Sequence, residues 1–462
     1  MVVSQLIFEN LIEVDVDGKL RPMLAKALPD ISADRLTYTF QLRDDVTFQN
    51  GAKFTAADVK YSYDYMLNPA NKALRRSYWL SISRVEVVSD HVVRIVLSRP
   101  CRPLLDYMTK YMGIFPVGSR EAHGPDYFQS TPIGVGTGPG VFVESKTGSH
   151  VELRRNEKYW RPGTPDWDVV RIEIASEANA RLAGLMASKI DVVGAPSARD
   201  FLRLKTGNAR ITGQSKPALG SSMLMMHNTR VAPFDDVNFR RAVSLGLDRK
   251  TIADKVYGGL LDPTSILVPP TSPYFSAEAA RMLDYDPARA REFLAKSAHA
   301  GNAAFEITYP SDPYLLDVKD AALLVQANLA AIGITVQLRP TESGKLLTDV
   351  IKGSQQSALW AVIGPLDPTF IMQSCYTPDQ TLQKGTGYSN AKLTQLVLDS
   401  QAALTEDELK PIMVAAQKIL AEDAPSAWIG TVHAFNLWNR KVSGFAANSG
   451  ITLSLRDARI SV

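Results

Sequence analysis

The chain has 462 residues, 45% of them apolar and 21% charged, and a formal net charge of +3. That length exceeds what one hydrophobic core usually serves, and the composition excludes a disordered or fibrous chain. No run approaches the roughly 18 consecutive apolar residues that cross a membrane, and the small, dispersed positive charge argues against a nucleic-acid partner.

The opening MVVSQLIFEN has neither the basic leader nor the small-residue cleavage site of a secretion signal, so a leader is expected to lie outside the sequence. A strand is predicted over residues 6–14 and a turn at Asp17-Gly18. A second strand is predicted over residues 36–42, where LTYTFQL alternates with period two. Asn50-Gly51 predicts a hairpin turn. The helix after it is signalled locally: Thr55 and Asp58 have capping-box spacing, Phe54 and Val59 form a hydrophobic staple, and Tyr63 and Met66 continue the apolar face. The basic cluster Lys72, Arg75 and Arg76 reads as a solvated face, and strands follow over residues 85–88 and 92–97.

Five of the seven residues 134–140 are glycine or proline. They predict a change of direction, a domain crossing or a close backbone approach, and lack the lysine and hydroxyl residue of a phosphate loop. Strand VELRRN, aromatic turn YWRPGTPDW and strand VVRIEI come next, then a helix over residues 177–186 and a strand in KIDVVGAP. Asp236 is placed to cap a helix from Val237, and Gly258-Gly259 to stop the helix carrying Ile252 and Val256. Asp286 precedes Pro287 at a helix start, and FEITY, VKDAALLVQANLAAI and GITVQL read as strand, helix, strand. A helix over residues 404–423 has Thr405 and Glu408 as a second capping box, Pro425 ends it, and a strand follows over residues 434–438.

Cys101 and Cys375 read as separate buried thiols rather than a disulfide. The six histidines form no metal motif, and neither HExxH nor GxSxG occurs, so no catalytic, metal or cofactor residue is assigned. Asp44-Asp45 and Asp235-Asp236 read as caps or solvated ends, and His227 as a strand-end residue or a ligand contact. Trp360, in SALWAVIGPLDPTF, runs from a strand into a loop with Gly364, Pro365 and Pro368. It offers either a flat surface to a ligand or plain core packing, with equal weight.

Five blocks, in order along nearly the whole chain, carry a family resemblance. They are LRDDVTFQNGAKFTAADVKYSYDYML; PIGVGTGPGVF with LRRNEKYW; NTRVAPFDDVNFRRAVSLGLDRKTIADKVYGG; YDPARAREFLAKS; and YSNAKL with QKILAEDAPSAWI. The chain resembles the extracytoplasmic solute-binding proteins of ABC importers, in the class with dipeptide-, oligopeptide- and nickel-binding members.

The resemblance implies an α/β, two-lobed periplasmic-binding-protein fold, type II in its large three-domain variant. Residues 1–35, 136–250 and 431–462 would form domain I, residues 36–135 a domain II insertion, and residues 251–430 domain III. It implies a monomeric, non-enzymatic receptor that closes by a hinge on a small polar or peptide-like solute between its lobes. The receptor would deliver that solute to a membrane permease with separate ATPase subunits. The compartment would be the periplasm, or the outer side of the cytoplasmic membrane through a lipid anchor; no cofactor is implied.

Glu9 and Asn10, in LIFENL, correspond to cleft residues where other members show FEG, and Trp360 and Asp367 to the domain III loop that helps define the cleft. Peptide-binding members place an aspartate shortly after the tryptophan; here the run is AVIGP, with no acid before Asp367. A buried ammonium without a partner is costly. An opine, amino-acid conjugate or oligosaccharide therefore stands beside a free peptide as the expected ligand, unless Glu9 or another acid serves. A hydrolase acting on a similar ligand is the alternative of a different class.

Overall fold

A computed structural model describes residues 2–16, 18–73, 75–124, 132–175, 177–218, 220–311, 317–364, 367–378, 380–446 and 454–461. Asp17 of the predicted turn and Pro365 of the loop after Trp360 lie outside the described residues. The chain folds as two compact units, one of Met1–Ala175, Ala183–Val192 and Trp438–Val462, the other of Ser176–Leu182 and Val193–Leu437.

The first unit corrects the prediction for the opening segment. Val2–Ile7 is a helix, and strand β1 covers only Ile12–Val14, paired antiparallel with β2 at Leu20–Pro22. Leu6 and Ile7 are consecutive yet both join the cluster of Phe142, Leu153 and Trp438. A strand sends successive side chains to opposite faces, whereas the stripe of a helix can bury neighbours together.

Strands β3 (Asp30–Ile31), β4 (Thr37–Gln41), β5 (Ile82–Ser89) and β6 (Val92–Leu97) form a sheet in the order β3-β4-β6-β5. The helix Ala56–Leu67 begins where predicted, with the Thr55 N–H and hydroxyl donating to Asp58 Oδ2 at 2.8 and 3.0 Å. Phe54, Val59 and Tyr63 are buried, and Tyr63 meets Trp79 edge-on at 5.5 Å. Strands β7 (Gly140–Lys146), β8 (His150–Arg155) and β9 (Val169–Glu173) make a second antiparallel sheet.

The second unit is built on eight strands that fall almost wholly within it. These are β10 (Val192–Gly194), β11 (Ile211–Pro217), β12 (Ser221–His227), β13 (Leu261–Pro263), β14 (Ala304–Pro310), β15 (Thr335–Thr341), β16 (Ser357–Ile363) and β17 (Ser426–Asn439). Their order is β10-β17-β12-β16-β14-β15, with β11 and β13 also on β17. β14 and β15 are parallel and joined through the helix Val318–Ala330, the crossover that parallel pairing requires. All seven residues of β12 are buried, the pattern of a strand covered on both faces.

The capping predictions hold. The Asp236 side chain accepts from the Asn238 N–H at the start of Val237–Leu245, and Asp286 from Ala288 and Arg289 at Pro287–Ala295. Thr405 and Glu408 form the box at Glu406–Asp423. Cys101 and Cys375 are both buried thiols outside any disulfide, as expected. Short strands β18 (Val442–Ser443) and β19 (Arg459–Ile460) pair in the first unit. Among the described residues no helix is long and apolar enough to cross a membrane.

Candidate functional site

The glycine-rich segment makes a close approach to the opening helix. The Gly138 N–H donates to the Ile7 carbonyl at 2.9 Å, and the Gln49 N–H to the Gly136 carbonyl at 2.9 Å. A Cβ on Gly136 would overlap the Ile7 carbonyl, and one on Gly138 the Leu6 carbonyl, so the two segments can lie this close only with hydrogen at those positions. Thr137, between them, is thereby aimed at Glu9.

Glu9 is 1% exposed. Its Oε1 accepts from the Tyr159 hydroxyl at 2.5 Å, and its Oε2 from the Thr137 hydroxyl at 2.9 Å and the Trp160 indole N–H at 2.8 Å. Arg43 lies over the Trp160 ring at 4.3 Å. Burial raises the Glu9 pKa above the usual carboxylate range, against the opposing pull of Arg456 and the three donors. Burial also works against the charge of Arg456, but Glu13, Tyr159 and Glu9 outweigh it and tighten its hold on the proton. The Arg456 guanidinium donates to Glu13 at 2.6 Å.

Asn10 follows directly. Its side-chain amide donates to the Thr109 carbonyl at 2.8 Å, and its own carbonyl accepts from the Leu24 N–H at 3.2 Å. It lines two hollows, both within the first unit. One, of about 70 Å³, has Glu9, Glu13, Lys110 and Arg456 in its wall; the other, of about 250 Å³, has Arg75, Lys110, Tyr111 and Arg120. They share Gln5, Phe8, Asn10 and Lys110.

Trp360 and Asp367 belong to the second unit. Trp360, 8% exposed, sits within β16 opposite Leu224 of β12, and its indole N–H points to the Met226 sulfur at 3.0 Å. Asp367 stands at the start of the helix Thr369–Tyr376, where its Oδ1 accepts from the Thr369 N–H at 2.8 Å and from the Thr369 hydroxyl. His227 ends β12 inside the core, stacked on Phe234 at 4.1 Å with Nδ1 3.1 Å from the Ser357 hydroxyl. Burial, with Arg240 nearby, pushes its pKa well below the ordinary histidine value.

Glu9 and Asn10 were legible in the sequence, but the groups that complete their surroundings were not. Tyr159 and Trp160 stood in the family block LRRNEKYW, a usable signal. Arg456 had none, since it is 443 positions along the chain from Glu13. Arg75, read as part of a solvated face, is exposed but lies over the Tyr111 ring at 4.7 Å and walls the larger hollow.

Residues 19–383 match the family described as bacterial extracellular solute-binding proteins, family 5 Middle. The glutathione-binding protein GsiB of Escherichia coli O6:K15:H31 (strain 536 / UPEC) is 27% identical over 476 aligned residues, covering 99% of this chain and 89% of the relative. The binding protein AgaA of A. tumefaciens R10, solved with agropinic acid, superposes with a TM-score of 0.87 at 23% identity, over 100% of this chain and 94% of that one. DppA of Helicobacter pylori, solved with the peptide STSA, gives a TM-score of 0.87 at 21% identity, over 100% and 93%. The structural likenesses show the α/β fold of type II periplasmic binding proteins. Members of this family are transport receptors that work with a permease and ATPase complex rather than enzymes. The chain belongs to family 5 of the bacterial extracellular solute-binding proteins and is a periplasmic solute receptor of an ABC importer.

Proposed function

We propose that this receptor captures a small polar or peptide-like solute whose recognition does not depend on a free α-ammonium group, such as an opine or an amino-acid conjugate. The observation that carries the reading is the internal use of both candidate acids. Glu9 accepts three hydrogen bonds from Tyr159, Thr137 and Trp160. Asp367 Oδ1 serves the helix start at Thr369. A buried ammonium would need an acid that is not already spent in this way. The solutes in the names of the relatives, glutathione, agropinic acid and the peptide STSA, support only the coarser class of small polar or peptide-like solutes, since glutathione and a peptide carry an α-ammonium group.

Of the four residues singled out, Asn10 is the proposed ligand contact, and Glu9, Trp360 and Asp367 are positioning residues. A monomeric state and the division at residues 1–35, 36–135, 136–250, 251–430 and 431–462 belong to the same proposal. Mass spectrometry of solute released from gently purified protein, with thermal-shift measurements on free and N-acetylated versions of the same dipeptides, tests the ligand class. N-acetylation is expected to leave stabilisation intact or improve it. A consistent requirement for the free amine, or a complex with that amine paired to Glu9, would sink the reading.

A further inference from the structure

The sheet β7-β8-β9 of the first unit has two unlike faces. Phe142, Val151, Leu153, Val170 and Ile172 pack into the cluster that holds Leu6 and Ile7. Side chains alternate along a strand, so the residues between these stand on the other face: Glu144 and Lys146 of β7, His150 and Glu152 of β8, Arg171 and Glu173 of β9. The register sets Glu144 opposite Glu152, Glu152 opposite Arg171, and His150 opposite both Lys146 and Glu173. Glu144 reaches its place through a register shift between Phe142 and Glu144, and a bulge of this kind re-aims a side chain. Two carboxylates directly opposite each other on adjacent strands repel, so the sheet alone does not favour the pair Glu144 and Glu152.

Glu144, His150 and Glu152 each offer one donor atom, and the three atoms lie within 4.8 Å of one another. His150 is buried, with Nε2 2.8 Å from Glu144 Oε1 and Nδ1 3.0 Å from the Ser149 hydroxyl and 3.1 Å from Arg171 Nη2. Glu152 accepts from Arg171 Nη1 at 3.2 Å, and Arg171 Nε lies 3.4 Å from Glu173 Oε1. The imidazole and the Glu152 carboxylate are thus oriented by outer partners, as the ligands of a metal ion commonly are. A divalent ion about 2.0–2.2 Å from each of three N/O donors needs them about 3–3.6 Å apart. Glu144, with a side chain 58% exposed, has room to turn by that amount. Lys146 and Arg171 oppose a further positive charge here. Arg171 keeps Glu173 as a partner when it leaves Nδ1, which then carries the imidazole proton and donates to Ser149.

We propose that Glu144, His150 and Glu152 bind a divalent transition ion of the zinc class on the face of this sheet turned from the core cluster. One imidazole and two carboxylates suit a borderline ion such as Zn(II), whereas Mg(II) and Ca(II) prefer oxygen donors alone. Three protein donors leave a coordination position for water. The ion replaces the repulsion between Glu144 and Glu152 with shared coordination and ties β7 to β8 across the bulge. The site goes beyond the receptor reading and stands without it, since it lies within one sheet of the first unit and involves no solute.

Titration calorimetry of Zn(II) alone into the whole chain, stripped beforehand with a chelator and free of solute, tests this. One ion per chain is expected to bind with a Kd below about 10 μM. Mg(II) in roughly 100-fold excess should not displace it. Glu144→Gln and His150→Gln should each weaken binding by at least about 10-fold. His299→Gln removes another histidine paired with an acid, Asp235 at 2.6 Å, and should leave binding unchanged. Because Glu144 is exposed, its variant keeps the test decisive if His150→Gln folds poorly. The absence of saturable binding, binding undiminished in Glu144→Gln, or an equal loss in His299→Gln overturns the proposal. With Zn(II) as the only probe, failure of the receptor reading would leave each of these results as it stands.

Discussion

The surroundings of Glu9 in the first unit and of Trp360 in the second are equally dry but differently filled. Around Glu9 stand a phenol, an indole N–H, a hydroxyl and, close by, a guanidinium, so that both carboxylate oxygens are met by donors. Around Trp360 the neighbours are Met226 and the buried strands β12 and β16, where volume and sulfur contact dominate. Acid and tryptophan alike are residue types that suggest ligand chemistry in a sequence. Here both are buried, and Arg75 and Lys110 line the hollow beside Asn10.

The contrast can be broken by substitution. Glu9→Ala strands three donors and removes one counter-charge of Arg456, and is expected to cost about 3–5 kcal/mol in urea denaturation. Glu9→Gln, which keeps an acceptor for Trp160 and Thr137, should cost less than half as much. A result in which the two are equal would show that charge rather than hydrogen bonding holds this corner. Gly136→Ala pushes a methyl against the Ile7 carbonyl and should cost on the order of 2–4 kcal/mol, read as a lowered urea midpoint.

The core of the second unit should respond to pH through His227. Its folded pKa is depressed by burial and Arg240. Above about pH 6.5, the unfolded value, neither state takes the proton and stability is complete; below it only the unfolded state does. Stability therefore falls as the pH drops through that window towards the folded pKa, with a limiting slope of about 1.4 kcal/mol per pH unit from this group. His227→Phe, measured by denaturation across pH 5 to 7, should flatten that component. The smallest effect expected is that of Trp360→Phe, about 1 kcal/mol, because the ring is largely replaced and only the N–H···S contact is lost. A loss as large as that of Glu9→Ala would mean that the indole, like the carboxylate, anchors a polar network.

Much of the fold was legible because its signals are local. The boxes at Thr55 and Thr405, the caps at Asp236 and Asp286, and the alternating strand before Asn50-Gly51 each depend on residues within a few positions of one another. The exception was the opening segment, where the apolar run of residues 6–14 suited a strand, while packing of Leu6 and Ile7 against Phe142 and Leu153 selected a helix. The glycines of residues 134–140 announced a close approach but not its partner, which lies at Leu6 and Ile7.

The candidate site divides along the same line. By itself the sequence determined the α/β alternation, the helix starts, the family and the absence of an acid directly after Trp360, since each is a matter of residue order or short spacing. Only the tertiary structure decided that Glu9 is enclosed by Tyr159, Trp160 and Thr137, that Trp360 belongs to a sheet core, and that Arg75, Lys110 and Arg120 share one hollow. Desolvation and pairing depend on which distant segments meet, and no short-range pattern encodes that.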